Sequence, residues 1–413
     1  MTANRLIFYI YCSAILSIFL PVTVYPLFFS LFIGLNIMSI ITENKIVIKR
    51  ELLIINILVG SFVVISSFSF FLNLGVSDSL QYVKILINMI FLISILHYIN
   101  YNFSVFLIHR RIFQYLFEFI IFLSFIQIIV NVYTINFWMI PFVGVKDSVM
   151  AYRIVDPLIL FGTTEKNIWA TKIAFIQIIY FSFGYFRYFK VKNIKLYIFW
   201  FFSLFNVIYT FSRTAQLVFL LFIIMFVIWK IFYVYKSRIL KILSLAIFLL
   251  TSIPICFLVY DRLFHITLGE GDGMSARIDI WLALYNHLDS MNIYMGNGIL
   301  YAKYIITTFT RWPNDNFHNV FLNIFSDQGI IGLLLYIFIL RMIFFAQKLN
   351  FKLKRFISLV LFLPFFVCVN SHYVGYDNDI VIYFSLVILF IKYLQFTAQE
   401  SQKVKNINNN PNI

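Results

Sequence analysis

The chain has 413 residues, is 62% hydrophobic and only 12% charged, and carries a formal net charge of +15. A soluble domain would hold about 25% charged residues; here mean hydropathy is +0.91 and apolar runs of about 20 residues recur from end to end, which excludes a soluble globule and points to a polytopic helical membrane protein. The runs do not alternate, which excludes an outer-membrane barrel, and the bases lie mostly in short loops between runs, where they report topology and not a nucleic-acid partner.

In chain order the hydropathy predicts an all-α fold of twelve spans, at 6–20, 23–41, 52–74, 80–99, 112–134, 168–186, 196–211, 214–235, 242–260, 317–340, 356–374 and 380–397. Pro21 and Pro26 interrupt the first long run, so spans one and two are either two helices or one kinked helix. No small-residue cleavage site follows that run, so it reads as a span and not as a signal peptide. Every second loop is basic: Lys45, Lys49 and Arg50; Arg110 and Arg111; Arg187, Lys190, Lys192 and Lys195; Lys236, Arg238 and Lys241; Lys348, Lys352, Lys354 and Arg355. Both termini are therefore expected in the cytoplasm. Of the 17 acids, all but Glu43, Glu51, Glu118 and Glu400 fall in or beside the opposite loops. Residues 1–397 read as one membrane-embedded domain, and 398–413, rich in Asn, as a disordered cytoplasmic tail. Cys12, Cys256 and Cys368 sit in separate apolar runs and form neither a CxxC nor a disulfide framework. The 52 Phe and 26 Tyr suit lipid-facing surfaces and interfacial belts.

Two loops on the non-cytoplasmic side are long, about 135–167 and 261–316. Within the second, Ser275 to Leu288 has helical apolar spacing at Ile278, Trp281, Leu282 and Tyr285, and reads as an amphipathic helix near the membrane surface. Gly269 to Gly273 before it is a turn wrongly spaced for a phosphate loop. Gly296-Asn297-Gly298 after it is another turn.

The titratable residues at this level are the candidates for chemistry. His318 opens the tenth span, and its imidazole can take a proton near neutral pH. Asp315 and Asp327 are candidates to orient it. The plainer alternative is an interfacial histidine at a helix start, with Asn316 as N-cap. Arg213 stands beside the N-terminus of the eighth span, on the side where positive-inside anchoring does not explain it, and a phosphate ligand is one reading. A snorkelling arginine is the other. Arg277 lies on the amphipathic helix, and Asp279, two residues on, does not share its face. Arg153 and Lys166 are weaker candidates for the same anion, and Lys303 and Arg311 flank the His318 patch; a solvated surface charge is the alternative for each. No HxxxH or HExxH and no second ligand at matching spacing is present, so no metal site is read. A basic cluster with one histidine at this interface suits a lipid-linked diphosphate and a hydroxyl acceptor.

At these residues the chain resembles the O-antigen ligase and polymerase superfamily of bacterial inner-membrane glycosyltransferases. The family's histidine motif matches His318, Asn319, nine residues, Gly329, two residues and Gly332. Its Ser-Arg at a helix start matches Ser212-Arg213. Its Ala-Arg, Trp and Gly-x-Gly loop pattern matches Ala276-Arg277, Trp281 and Gly296-Asn297-Gly298. The resemblance covers about 200–345; before residue 150 only hydropathy is shared.

The resemblance implies a donor glycan linked through diphosphate to undecaprenol. An acceptor hydroxyl attacks the anomeric carbon, with His318 as general base and Arg213 and Arg277 binding the diphosphate. It implies no metal or nucleotide cofactor, because the donor is already activated. It also implies a lipid-linked repeat unit or lipid A-core as acceptor, and a chain-length regulator as a possible partner. A Wzy-type polymerase and a ligase share the motif; the polymerase is the first expectation, for O-antigen, capsule or exopolysaccharide. A flippase for the same lipid-linked glycan is the competing class. Transporters usually carry internal repeats and mid-membrane polar residues, whereas here the charged candidates gather at one interface.

Overall fold

The computed structural model describes residues 3–21, 23–43, 50–135, 166–210, 212–242, 246, 273–312, 314–346 and 348–409. Among these no strand occurs. The helices are α1 (Ala3–Ser17), α2 (Tyr25–Thr42), α3 (Arg50–Leu72), α4 (Ser79–Tyr101), α5 (Phe103–Ile108), α6 (Arg110–Ile135), α7 (Lys166–Tyr185), α8 (Asn193–Tyr209) and α9 (Arg213–Trp229). They continue with α10 (Gly273–Asn286), α11 (Tyr301–Phe309), α12 (Val320–Phe344), α13 (Phe351–Phe356), α14 (Leu363–His372) and α15 (Asn378–Asn409). A π-helical segment, Ile357–Phe362, joins α13 to α14 into one rod. Among the described residues, nine helices are long and apolar enough to cross a membrane. At 15 residues α1 falls short of that length, and so does α8 at 17. The span expected at 242–260 lies almost wholly outside the described residues, and so does the loop 136–165.

Local chemistry sets several boundaries. The first apolar run is two helices, with Pro26 in the first turn of α2, where a missing N–H costs nothing. Asp78 caps α4 by accepting from Gln81 N at 2.9 Å, and Asn350 caps α13 by accepting from Leu353 N at 2.9 Å. At its other end α15 runs on to Asn409, through most of the segment expected as a disordered tail. Ala398, Gln399, Glu400 and Gln402 are good helix formers and extend the turn before them.

Aromatic packing and a few buried polar bonds tie the helices together. Phe29 of α2 stacks on Phe91 of α4 at 3.9 Å. Tyr11 of α1 shares a 2.7 Å hydrogen bond with Ser385 of α15, joining the two ends of the chain. Glu118, buried on α6, accepts from Lys195, Tyr180 and Gln114 at 2.8, 2.9 and 2.8 Å, which gives a buried carboxylate the partners it needs. The end of α3, the start of α4, the start of α12, the end of α14 and the start of α15 gather at one level of the bundle.

There α10 and α11 form a small second core around Ile280, Leu284, Ile305, Ile306 and Phe317. The face of α10 that is buried carries Ala276, Ile280, Ala283 and Leu284, and the last three pack with Ile305 and Ile306 of α11. The stripe read from the sequence faces the other way: Ile278, Leu282 and Tyr285 are exposed and only Trp281 is half-buried.

Candidate active site

The site is built on a broken helix. Within α12, Gly329 leaves helical geometry at φ 67° and ψ −169°. In an unbroken helix the Ile330 N–H would bond the Ser326 carbonyl. Here the loop before α11 supplies both partners: Ile330 N donates to Ile293 O at 2.8 Å, and Ser326 O accepts from Asn297 N at 3.0 Å. The approach tolerates no side chain. A Cβ on Gly329 would collide with the Tyr294 carbonyl, and one on Gly296, itself at φ 80°, with the peptide joining Asp327 to Gln328. The two glycine patterns that stand 30 residues apart in sequence are therefore one interlocked joint.

Asp327 seals the joint. Its Oδ2 accepts from Leu300 N and its Oδ1 from Tyr301 N, both at 3.0 Å, so a buried carboxylate on α12 caps the N-terminus of α11. Ser69 of α3 donates through its hydroxyl to the Asp327 carbonyl and accepts from Gly298 N at 3.1 Å.

His318 sits two residues ahead of α12 with φ 53°. A left-handed backbone is uncommon for a residue with a side chain and persists where its surroundings impose it. Those surroundings are specific. Asn316 Oδ1 accepts from His318 N at 2.8 Å. Asn323 Oδ1 accepts from Phe317 N at 2.9 Å. Trp281 of α10 donates to the Phe317 carbonyl at 2.8 Å. Asn319 is the N-cap of α12, accepting from Phe321 N and Leu322 N at 3.0 and 3.2 Å. The cap expected at Asn316 thus lies three residues later, and Asn316 shapes the turn that presents the imidazole.

The half-buried imidazole and the Arg277 guanidinium stand together at the end of α14. Arg277 Nη2 donates to the Ser371 carbonyl at 3.2 Å, and the Arg277 charge and the Ser371 backbone both act on the His318 ring. Ser371 lies in the last turn of α14, where carbonyls have no helical partner and the helix dipole favours cations. Asn314 Nδ2 stands 3.0 Å from His318 Nε2. Burial first, then the Arg277 charge, push the His318 pKa down to about 4, against a smaller upward pull from Ser371. The ring is therefore neutral at neutral pH. A neutral imidazole keeps a lone pair on one of its nitrogens.

The remaining expected residues are spread out. Asp315 pairs with Lys303 at 3.6 Å, both exposed, and Asp327 is committed to α11, so the acids expected to orient His318 are engaged elsewhere. Arg311 lies over the Trp312 ring at 5.1 Å, and Trp312 donates to Asp279 at 3.0 Å. Of Arg213 only the backbone is described: it is the first residue of α9, after Ser212, whose Oγ accepts from Ala215 N at 3.4 Å. Arg153 lies outside the described residues. Residues that sequence reasoning missed are Asn314, Asn323, Ser371 and Tyr373. For Ser371 and Tyr373 the signal is the polar stretch 371–379 between the last two spans; for Asn314 and Asn323 local spacing offers none.

Compared with known proteins, residues 198–337 match the family described as O-antigen ligase. That stretch contains Ser212-Arg213, Ala276-Arg277, the Gly296 turn, His318 and both glycines of the histidine motif. A search of curated proteins finds no match.

Proposed function

The match over residues 198–337 supports placing this chain in the O-antigen ligase/polymerase superfamily, and on that premise we propose that it is a surface-polysaccharide polymerase. It transfers a growing glycan from undecaprenyl diphosphate to a hydroxyl of a lipid-linked repeat unit at the periplasmic face of a bacterial inner membrane. The observation that carries this reading is a neutral imidazole whose pKa is lowered by a guanidinium fixed on the Ser371 carbonyl. A base and a fixed cation within electrostatic reach of each other suit a reaction that removes a proton from one reactant while the other departs as a diphosphate.

In this reading the acceptor hydroxyl displaces Asn314 from His318 Nε2. Its oxygen bonds to the anomeric carbon and its proton passes to the imidazole. The bond from that carbon to the diphosphate oxygen breaks, and undecaprenyl diphosphate leaves with the electron pair. Arg277 and Arg213 bind the diphosphate and stabilise its added charge. The donor arrives activated, so no cofactor is assigned a step. We place both termini in the cytoplasm and count twelve spans, from the alternation of basic loops. A ligase that moves the finished chain to lipid A-core is the second reading, favoured by the matched family's description.

Protein reconstituted with an undecaprenyl-diphosphate-linked repeat unit alone separates the two. Polymer formed from that substrate supports the polymerase, and product that forms only when lipid A-core is added supports the ligase. Intact donor in both mixtures, with active control enzyme beside them, overturns glycan transfer.

A further inference from the structure

The imidazole and the Ser371 carbonyl belong to segments more than 50 residues apart in sequence, yet one side chain spans them. Asn323 is buried at 1% exposure in the first half of α12. Its Oδ1 accepts from the N–H of Phe317, the residue before His318, at 2.9 Å. Its Nδ2 donates to the carbonyl of Tyr373, two residues after Ser371, at 3.0 Å. The amide therefore sets the spacing between the backbone that carries His318 and the helix end whose Ser371 carbonyl holds Arg277. The far side of this strut is anchored in turn. The Tyr373 hydroxyl, buried at 2% exposure, lies 2.9 Å from Thr171 Oγ1 of α7 and donates to Asp379 Oδ2 of α15 at 2.7 Å. Both of its neighbours are buried as well. Buried polar groups in a spanning bundle are costly unless fully partnered; each of these has its partner, and the chain of bonds ends at the backbone of Phe317, the residue before His318.

We propose that Asn323, anchored through the Tyr373 hydroxyl, is the positioning residue that holds His318 and the Ser371 carbonyl in register. This rests on His318 acting as the base. Neither Asn323 nor Tyr373 touches the reacting atoms. Their contribution is geometric, and misplacing a base by about 1 Å costs on the order of 10²-fold in rate.

The test uses full-length protein in nanodiscs with the lipid-linked substrate. The variants are Asn323→Leu, which keeps the volume and loses both bonds, Tyr373→Phe, which loses only the hydroxyl, their double variant, and His318→Ala as reference. Expected are a fall in kcat of about 10²-fold for Asn323→Leu and about 10-fold for Tyr373→Phe, with acceptor KM within about 2-fold of wild type. The double variant is no slower than Asn323→Leu, because both act through one strut. The modification rate of His318 by diethyl pyrocarbonate, read by mass spectrometry, changes in both single variants. Should Asn323→Leu fail to fold, Tyr373→Phe decides alone. Inactive His318→Ala beside variants with wild-type kcat and His318 reactivity overturns the strut and spares the base. Active His318→Ala overturns the base itself. Losses that multiply in the double variant also overturn the strut, since independent packing defects behave that way.

Discussion

The two halves of α12 share one helix and obey different rules. Before Gly329, Asn323, Ser326, Asp327 and Gln328 are buried, and Asn323, Ser326 and Asp327 bond to segments from elsewhere in the chain. After it, Ile331, Leu334, Ile337 and Phe338 face outward, and the inward face is Tyr336, Ile339, Leu340 and Ile343. The second half is an ordinary spanning helix held by apolar packing. The first half is held by hydrogen bonds, and a break in the ladder at Gly329 lets a loop supply them. Irregular backbone at membrane depth persists only where protein repartners it, and the half that breaks the rule is the half that adjoins the candidate site.

Substitutions in the two halves and their neighbours put that contrast to the test. His318→Ala, just ahead of the polar half, is expected to cost about 10²–10⁴-fold in turnover, the usual worth of a positioned base. Arg277→Gln costs about 10²-fold in kcat/KM if the guanidinium binds the developing diphosphate charge. It also moves the pH profile. In wild type, activity should fall as pH drops through about 4, where His318 gains its proton. Removing a cation that opposes protonation raises that pKa, so the acid limb shifts to higher pH; a limb that stays in place would remove Arg277 from the electrostatics of the base.

Smaller effects separate the halves in stability. Gly329→Ala forces a side chain into a left-handed position, costing about 1–3 kcal/mol for backbone strain before any collision with Tyr294. Asp327→Ala strands two backbone N–H groups of α11 and should cost about 1–3 kcal/mol. On the apolar half, Leu334→Ala, at 47% exposure, should stay within about 0.5 kcal/mol. Thermal melts in matched nanodiscs rank the three, and equal melting points for Asp327→Ala and Leu334→Ala would erase the distinction.

The same contrast explains what was legible in the sequence. Hydropathy alone locates the apolar half and most of its neighbours, because burial in a membrane leaves a local signature. The motif residues His318, Gly329, Arg277 and Gly296 were legible as separate pieces. Their interlocking was not, since the partner of Ile330 N is Ile293 O and that of Asn323 is Tyr373 O, pairings no local spacing records. The left-handed turn at His318 was equally hidden, because Asn314, Asn316, Asn319 and Asn323 look interchangeable in a polar patch until each is seen with a different partner. On α10 the spacing signal was present on two faces, and only the packing of Ile280, Ala283 and Leu284 against Ile305 and Ile306 of α11 tells which is inside.

The most direct test of the account is a lipopolysaccharide gel from a strain lacking this protein, complemented with wild type or with His318→Ala at matched expression. The account predicts that wild type restores the long-chain ladder and that His318→Ala leaves core carrying a single repeat unit. A full ladder from His318→Ala would contradict it.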